Sequence, residues 1–99
     1  MLDIEKIIEE NDLTVALEGQ LDSDSAPALE AALMESLPEE GNLTLSMEKL
    51  DYISSAGLRV LLSAHKAMSG KGGMKVTHVN EIVREVFEVT GFADILTIE

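Results

Sequence analysis

Polar and apolar positions alternate most cleanly at Leu13, Val15, Leu17 and Gly19, interleaved with Thr14, Ala16, Glu18 and Gln20. Period two predicts a strand with one face toward a core. Leu43-Thr44-Leu45-Ser46-Met47 and Met74-Lys75-Val76-Thr77-His78-Val79 read as two further strands. Residues 4–9, acidic and partly apolar, read as an edge strand before an Asn11-Asp12 turn. Between these runs the spacing changes to that of helices. Ala26 to Leu37 places Leu29, Ala32, Leu33, Ser36 and Leu37 on one face. Ala56 to Met68 does the same with Leu58, Leu61, Leu62 and His65, and Glu81 to Thr90 with Ile82, Val83, Val86 and Phe87.

The punctuation agrees with these boundaries. Ser25 is placed to cap the first helix, with Pro27 in its first turn, and Pro38 and Gly41 end it. Ser69-Gly70-Lys71-Gly72-Gly73 closes the second helix. Asn80 is placed to cap the third and Gly91 to stop it. Ile95 and Thr97 predict a last short strand. The order β-β-α-β-α-β-α-β implies an α/β fold, a mixed sheet of about four to five strands with three or more helices packed on it. Without internal repeat, low-complexity tract or linker, residues 1–99 are expected to form one domain.

Charge narrows the function. The formal net charge is -12, from 19 acidic and 7 basic residues. Such a surface opposes direct nucleic-acid binding and docking on anionic lipid, both of which need basic residues. The absence of cysteine excludes disulfides, thiolate catalysis and Cys-ligated zinc. No apolar run approaches the roughly 20 residues of a membrane span. Met1-Leu2-Asp3-Ile4-Glu5 lacks the blocks of a signal peptide, so a cytoplasmic location is expected.

The most telling stretch is Leu50 to Leu62, where Ser54 and Ser55 join an extended segment to a helix through Ala56 and Gly57. A hydroxyl at a helix N-terminus can accept a phosphate without disrupting the fold, because free N–H groups and the positive end of the dipole lie beside it. A partner surface shaped for the neutral hydroxyl would have to bury an unpaired charge. The plain structural reading is N-cap chemistry, with Ala56-Gly57 permitting close helix-to-sheet packing.

Ile53-Ser54-Ser55-Ala56-Gly57-Leu58 resembles the phosphorylation signature of bacterial anti-sigma-factor antagonists with a STAS domain. Leu17-Glu18-Gly19-Gln20-Leu21-Asp22 resembles the family's second strand, Ser25 to Glu30 its first helix start, and Val83 to Phe92 its last helix and stop. Nearly the whole chain is covered, in order. The sequence departs from the family at Ser54, where an Asp is usual, at Ala56, where a hydroxyl residue is usual, and at Ser46, where many members carry Asp or Asn.

The resemblance implies a STAS-like fold and a partner-switching protein with no catalysis or cofactor. Its unphosphorylated form is expected to bind a serine kinase that is also an anti-sigma factor, releasing the sigma factor. Phosphorylation falls on Ser55, with Ser54 as competing acceptor, and a metal-dependent serine phosphatase reverses it. Asp22, Ser23, Ser54, Ala56, Gly57 and Arg59 are the implied partner-contact residues. Two alternatives stay open: a STAS module controlling a secretion system or signalling phosphatase, and one holding a nucleotide or other small ligand near Asp22 and Ser55. Other chemistry is weakly represented. His65 and His78 read as packing residues, no HxxxH or HExxH spacing occurs, and Gly70-Lys71-Gly72-Gly73 reads as a turn and not a P-loop. Gly-x-Ser-x-Gly is absent.

Overall fold

The computed structural model describes residues 2–99. Five strands form one sheet in the spatial order β1-β2-β3-β4-β5. They are β1 (Leu2–Glu9), β2 (Asp12–Leu21), β3 (Leu43–Ile53), β4 (Met74–Thr77) and β5 (Thr97–Ile98). β1 runs antiparallel to β2 and every later pairing is parallel. The parallel crossovers carry α1 (Ala26–Ser36), α2 (Ser55–Met68) and α3 (Glu81–Thr90), with a single 3-10 turn, Phe92–Asp94, before β5.

The alternation read from the sequence is the alternation of burial. Leu13, Val15, Leu17, Leu43, Leu45, Met47, Met74 and Val76 are buried beneath the helices. Thr14, Ala16, Thr44, Ser46, Lys75 and Thr77, which alternate with them, stay half-exposed on the other face. α1 contributes Ala26, Leu29 and Leu33 to the core, α2 Leu58, Leu61, Ala64 and Met68, and α3 Val83 and Phe87. Each large apolar side chain so buried stabilises the fold by about 1.5–3 kcal/mol.

Several boundaries differ from those expected. β3 extends beyond Met47 to Ile53, because two register irregularities against β2, between Ala16 and Glu18 and between Gly19 and Gln20, let the strands stay paired to their ends. Its buried residues then fall at Met47, Leu50 and Ile53, a spacing that does not read as a strand. β4 stops at Thr77 because His78 takes a left-handed backbone conformation, φ 57°. His78 is therefore exposed and not a packing residue, while His65 is half-buried with a buried, unpartnered Nδ1. Leu62 lies at the flank of the buried face of α2, and Ile82 of α3 is 61% exposed. Asn80 caps α3 as expected, its Oδ1 accepting from the Val83 amide at 2.9 Å, and its Nδ2 also donates to the Leu50 carbonyl. Gly91 ends α3 in the left-handed conformation.

At the pole where β2, β3 and β4 begin, three turns interlock. Leu13 N–H donates to Asn42 O at 2.9 Å and Leu43 N–H to Gly73 O at 3.0 Å, while Asp12 Oδ1 accepts from Asn42 N–H at 2.8 Å. Gly41 has φ 105°, and a Cβ there would lie 2.1 Å from the Asn11 carbonyl oxygen. Gly70 also has a positive φ, 85°, but faces open space. Gly70→Ala is therefore expected to cost about 1 kcal/mol, for the backbone alone. Gly41→Ala should cost about 3 kcal/mol or more, since neither backbone nor neighbour can relax independently. Urea denaturation of the two variants checks the difference.

Candidate functional site

Opposite those turns, the serine junction sits where β2 and β3 end together. Leu21 pairs with Ile53 as the last rung, and the Ser54 amide then donates to the Leu21 carbonyl at 2.8 Å. Ser54 is extended, φ −97° and ψ 175°, and caps α2: its Oγ accepts from Gly57 N–H at 3.3 Å and its carbonyl from Leu58 N–H at 2.9 Å. All its polar groups are thus used in the joint, and its side chain is half-buried. α2 begins at Ser55, one residue earlier than expected. Ser55 is exposed, and among the described residues no hydrogen bond engages its hydroxyl. Its amide and that of Ala56 lie in the first helical turn, where no intrahelical acceptor exists.

Gly57 is what lets the helix start here. A Cβ at this position would lie 2.6 Å from Cγ of Leu21 and 3.0 Å from Cγ1 of Ile53. The residue is buried and seats α2 against the strand ends, so it bears on the expected contact surface by placing its neighbours. Ala56 is half-buried and Arg59 exposed, one helical turn beyond Ser55.

The β2–α1 loop abuts this junction through Leu21. Asp22 Oδ1 accepts from Asp24 N–H and Ser25 N–H, both at 3.0 Å, and the Asp22 carbonyl accepts from Ala26 N–H at 2.8 Å. Ser25 does not cap α1 with its side chain. Its hydroxyl instead accepts from Asp22 N–H at 2.9 Å and reaches Gln20 O at 2.8 Å, locking the loop from the other side. Asp22 is thereby half-buried and held in place, while Ser23 is exposed at the loop's tip. The Ser25 amide is the main reason the Asp22 carboxyl is held below its ordinary value. Partial desolvation opposes it, and the Ser25 hydroxyl and Asp24 amide add to it.

The structure thus brings Asp22, Ser23, Ser54, Ser55, Ala56 and Arg59 to one pole and places Gly57 beneath them. What the sequence reading missed is Ser25 as the clasp of the loop and Leu21 as the acceptor that pins Ser54. An Asp-x-x-Ser spacing after a strand is the signal that marks such a clasp. A groove of about 590 Å³ lies at the opposite pole, lined in part by Asp12, Asn42, His65 and Lys75, away from Asp22 and Ser55.

This geometry has measurable consequences. Ser54→Ala is expected to destabilise the fold by about 1 kcal/mol through loss of the cap. Ser55→Ala should stay within about 0.5 kcal/mol of the parent in the same urea denaturation. Because the Asp22 carboxyl titrates lower in the folded chain, its contribution to stability is complete above the ordinary Asp value of about 3.9 and is lost as pH falls through the lowered folded value. Asp22→Asn should remove that part of the acid dependence, and side-chain NMR titration of Asp22 should show the depressed midpoint directly.

Comparison with known proteins identifies the family. Residues 5–97 match the family model described as Mlab, STAS domain. BtrV of Bordetella bronchiseptica, named as a candidate anti-sigma factor antagonist, is 40% identical over 88 residues, covering 87% of this chain and 76% of that protein. The anti-sigma-B factor antagonist of Bacillus subtilis is 31% identical over 90 residues, 90% of this chain and 83% of that protein. Among solved structures, an anti-sigma factor antagonist from Mycobacterium paratuberculosis shares the fold with a TM-score of 0.88 at 20% identity, over 99% of this chain and 85% of that one. SpoIIAA, a Bacillus cell fate determinant, shares it in its unphosphorylated form (TM-score 0.77, 17% identity, 100% and 88% of the two chains). In its phosphorylated form the values are 0.70, 16%, 100% and 91%. Family model, sequence relatives and strand order together make this chain a member of the STAS-domain anti-sigma factor antagonist family.

Proposed function

We propose that the chain is a phosphorylation-controlled partner switch acting as one STAS domain. In its unphosphorylated form it binds a serine kinase anti-sigma factor and releases the sigma factor. The kinase transfers the ATP γ-phosphoryl group to the Ser55 hydroxyl oxygen, with loss of the hydroxyl proton and release of ADP, and the modified protein dissociates. A metal-dependent serine phosphatase hydrolyses the phosphoester and restores binding. The chain supplies no catalytic group of its own and acts in the cytoplasm.

The observation that carries this reading is the contrast between the two serines. Ser54 holds the strand–helix joint with every polar group, whereas Ser55 stands exposed beside it with a free hydroxyl. Phosphate on Ser54 would remove the cap from α2. Phosphate on Ser55 adds about 1.5–2 negative charges to a surface and leaves the joint intact. The cost of that charge appears only when a partner must cover it, which is the property a switch needs. That relatives are anti-sigma factor antagonists, and that SpoIIAA is described in both phosphorylated and unphosphorylated forms, supports the same reading. Half-buried Asp22 and exposed Ser23 and Arg59 border Ser55 and complete the proposed contact surface.

Incubation with the serine kinase anti-sigma factor of the same organism and ATP is expected to add one phosphate, mapped to Ser55 by peptide mass spectrometry. Ser55→Ala should abolish it. Ser55→Asp should weaken kinase binding at least tenfold by calorimetry while melting like the parent. Labelling that persists in Ser55→Ala overturns the assignment of the site.

A further inference from the structure

The chain's acidity is unevenly distributed. Residues 52–80 contain no Asp or Glu, yet they hold Arg59, Lys66, Lys71 and Lys75, four of the chain's seven basic residues, and both histidines. All 19 acidic residues lie outside this span. α2 occupies its first half, so the helix that opens with Ser55 carries cations and no carboxylate. Arg59 is exposed and, among the described residues, takes part in neither ion pair, which are Lys6–Glu35 and Lys75–Glu99. Arg84 of α3 is also in neither pair, but Arg59 alone of the two arginines lies on α2, four residues after the proposed phosphoacceptor. Side chains at i and i+4 of a helix stand about 5–6 Å apart at Cβ, on the same face.

Resting on the reading of Ser55 as the acceptor, we propose that Arg59 is the intramolecular partner of the Ser55 phosphate. It is a positioning residue that pairs with the phosphate dianion along the surface of α2. A guanidinium fork suits phosphate oxygens geometrically, and the acidic group lies on the N-terminal side, the favoured order for such a pair. The need for it comes from the adjoining loop. Asp22 is ionised at neutral pH and follows Leu21, whose carbonyl holds the Ser54 amide, so its charge lies at the same pole as the phosphate. Asp24 in that loop and Asp51 near the end of β3 add to the negative field. Arg59 is the cation within one turn of Ser55 that offsets them. The absence of carboxylates in α2 leaves it uncommitted until the phosphate arrives, so the pair distinguishes the modified state from the unmodified one.

The test places phosphoserine at position 55 during translation, so that no kinase is needed, and follows the phosphate by phosphorus NMR titration. With Arg59 present the second phosphate pKa is expected about 0.2–0.4 unit lower than in Arg59→Gln, the shift an i,i+4 ion pair supplies. The difference should shrink at 1 M salt, where screening acts over roughly 3 Å. Arg84→Gln, which removes the same charge from α3, should leave the value at that of the parent. Equal pKa values in the parent and Arg59→Gln overturn the proposal, as does an equal rise in Arg84→Gln, which marks a general charge effect. A matching melting temperature for unphosphorylated Arg59→Gln shows that the shift does not come from lost folding. The kinase assay above succeeds or fails without reference to this titration, so rejection of Ser55 as acceptor is distinguishable from rejection of Arg59 as its partner.

Discussion

The hydrogen bond from the Ser54 amide to the Leu21 carbonyl, 2.8 Å long, decides where the sheet ends and where α2 begins. It continues the β2–β3 pairing one residue past its last rung, so strand and helix meet without slack. Two other contacts complete that joint. Gly57 fits against Leu21 and Ile53 only because it carries no Cβ, and the Ser54 hydroxyl caps α2 by accepting from the Gly57 amide. On the other side of Leu21, Asp22 and Ser25 clasp the start of α1. The strand ends, both helix starts and the β2–α1 loop are therefore tied through one residue pair.

Under the proposed function, this arrangement separates stability from signalling within two adjacent serines. Ser54 is committed to the fold, and Ser55 is left to the surface. The core beneath them is a continuous apolar layer, with no buried polar or charged residue among those described, so nothing in it responds to a charge added at the pole. A modification at Ser55 changes what can dock and not what is folded. The charge distribution is consistent with that separation: a strongly acidic chain keeps its carboxylates off α2, the helix that opens with Ser55.

Much of this was legible from residue pattern. Alternation at Leu13–Leu17 and Leu43–Met47 corresponds to buried strand faces, because period-two burial survives wherever a strand is covered on one side. Asn80 and Gly91 bound α3 as their backbone and side-chain chemistry requires. Legibility failed where tertiary geometry overrode local pattern. The second half of β3 is hidden because its irregular pairing buries Leu50 and Ile53 at three-residue intervals. Ser25 looks like a cap from its place before a helix, but the Asp22 carboxylate and Gln20 carbonyl compete for its hydroxyl and win. Gly57 reads from the sequence both as a packing glycine and as part of a contact surface, and only the position of Leu21 shows that it is buried. The division of labour between Ser54 and Ser55 depends on a helix start one residue earlier than the apolar spacing suggests.

The central claim is that phosphate on Ser55 alters one pole and leaves the joint and core unchanged. Backbone amide NMR spectra of the unmodified and Ser55-phosphorylated chains test it most directly. The account predicts shift changes confined to Asp22–Ser25 and Ser54–Arg59, with the Ser54 amide still protected from exchange by its bond to Leu21. Changes spreading to core strand residues such as Val15, Leu45 and Val76, or loss of protection at Ser54, would contradict it.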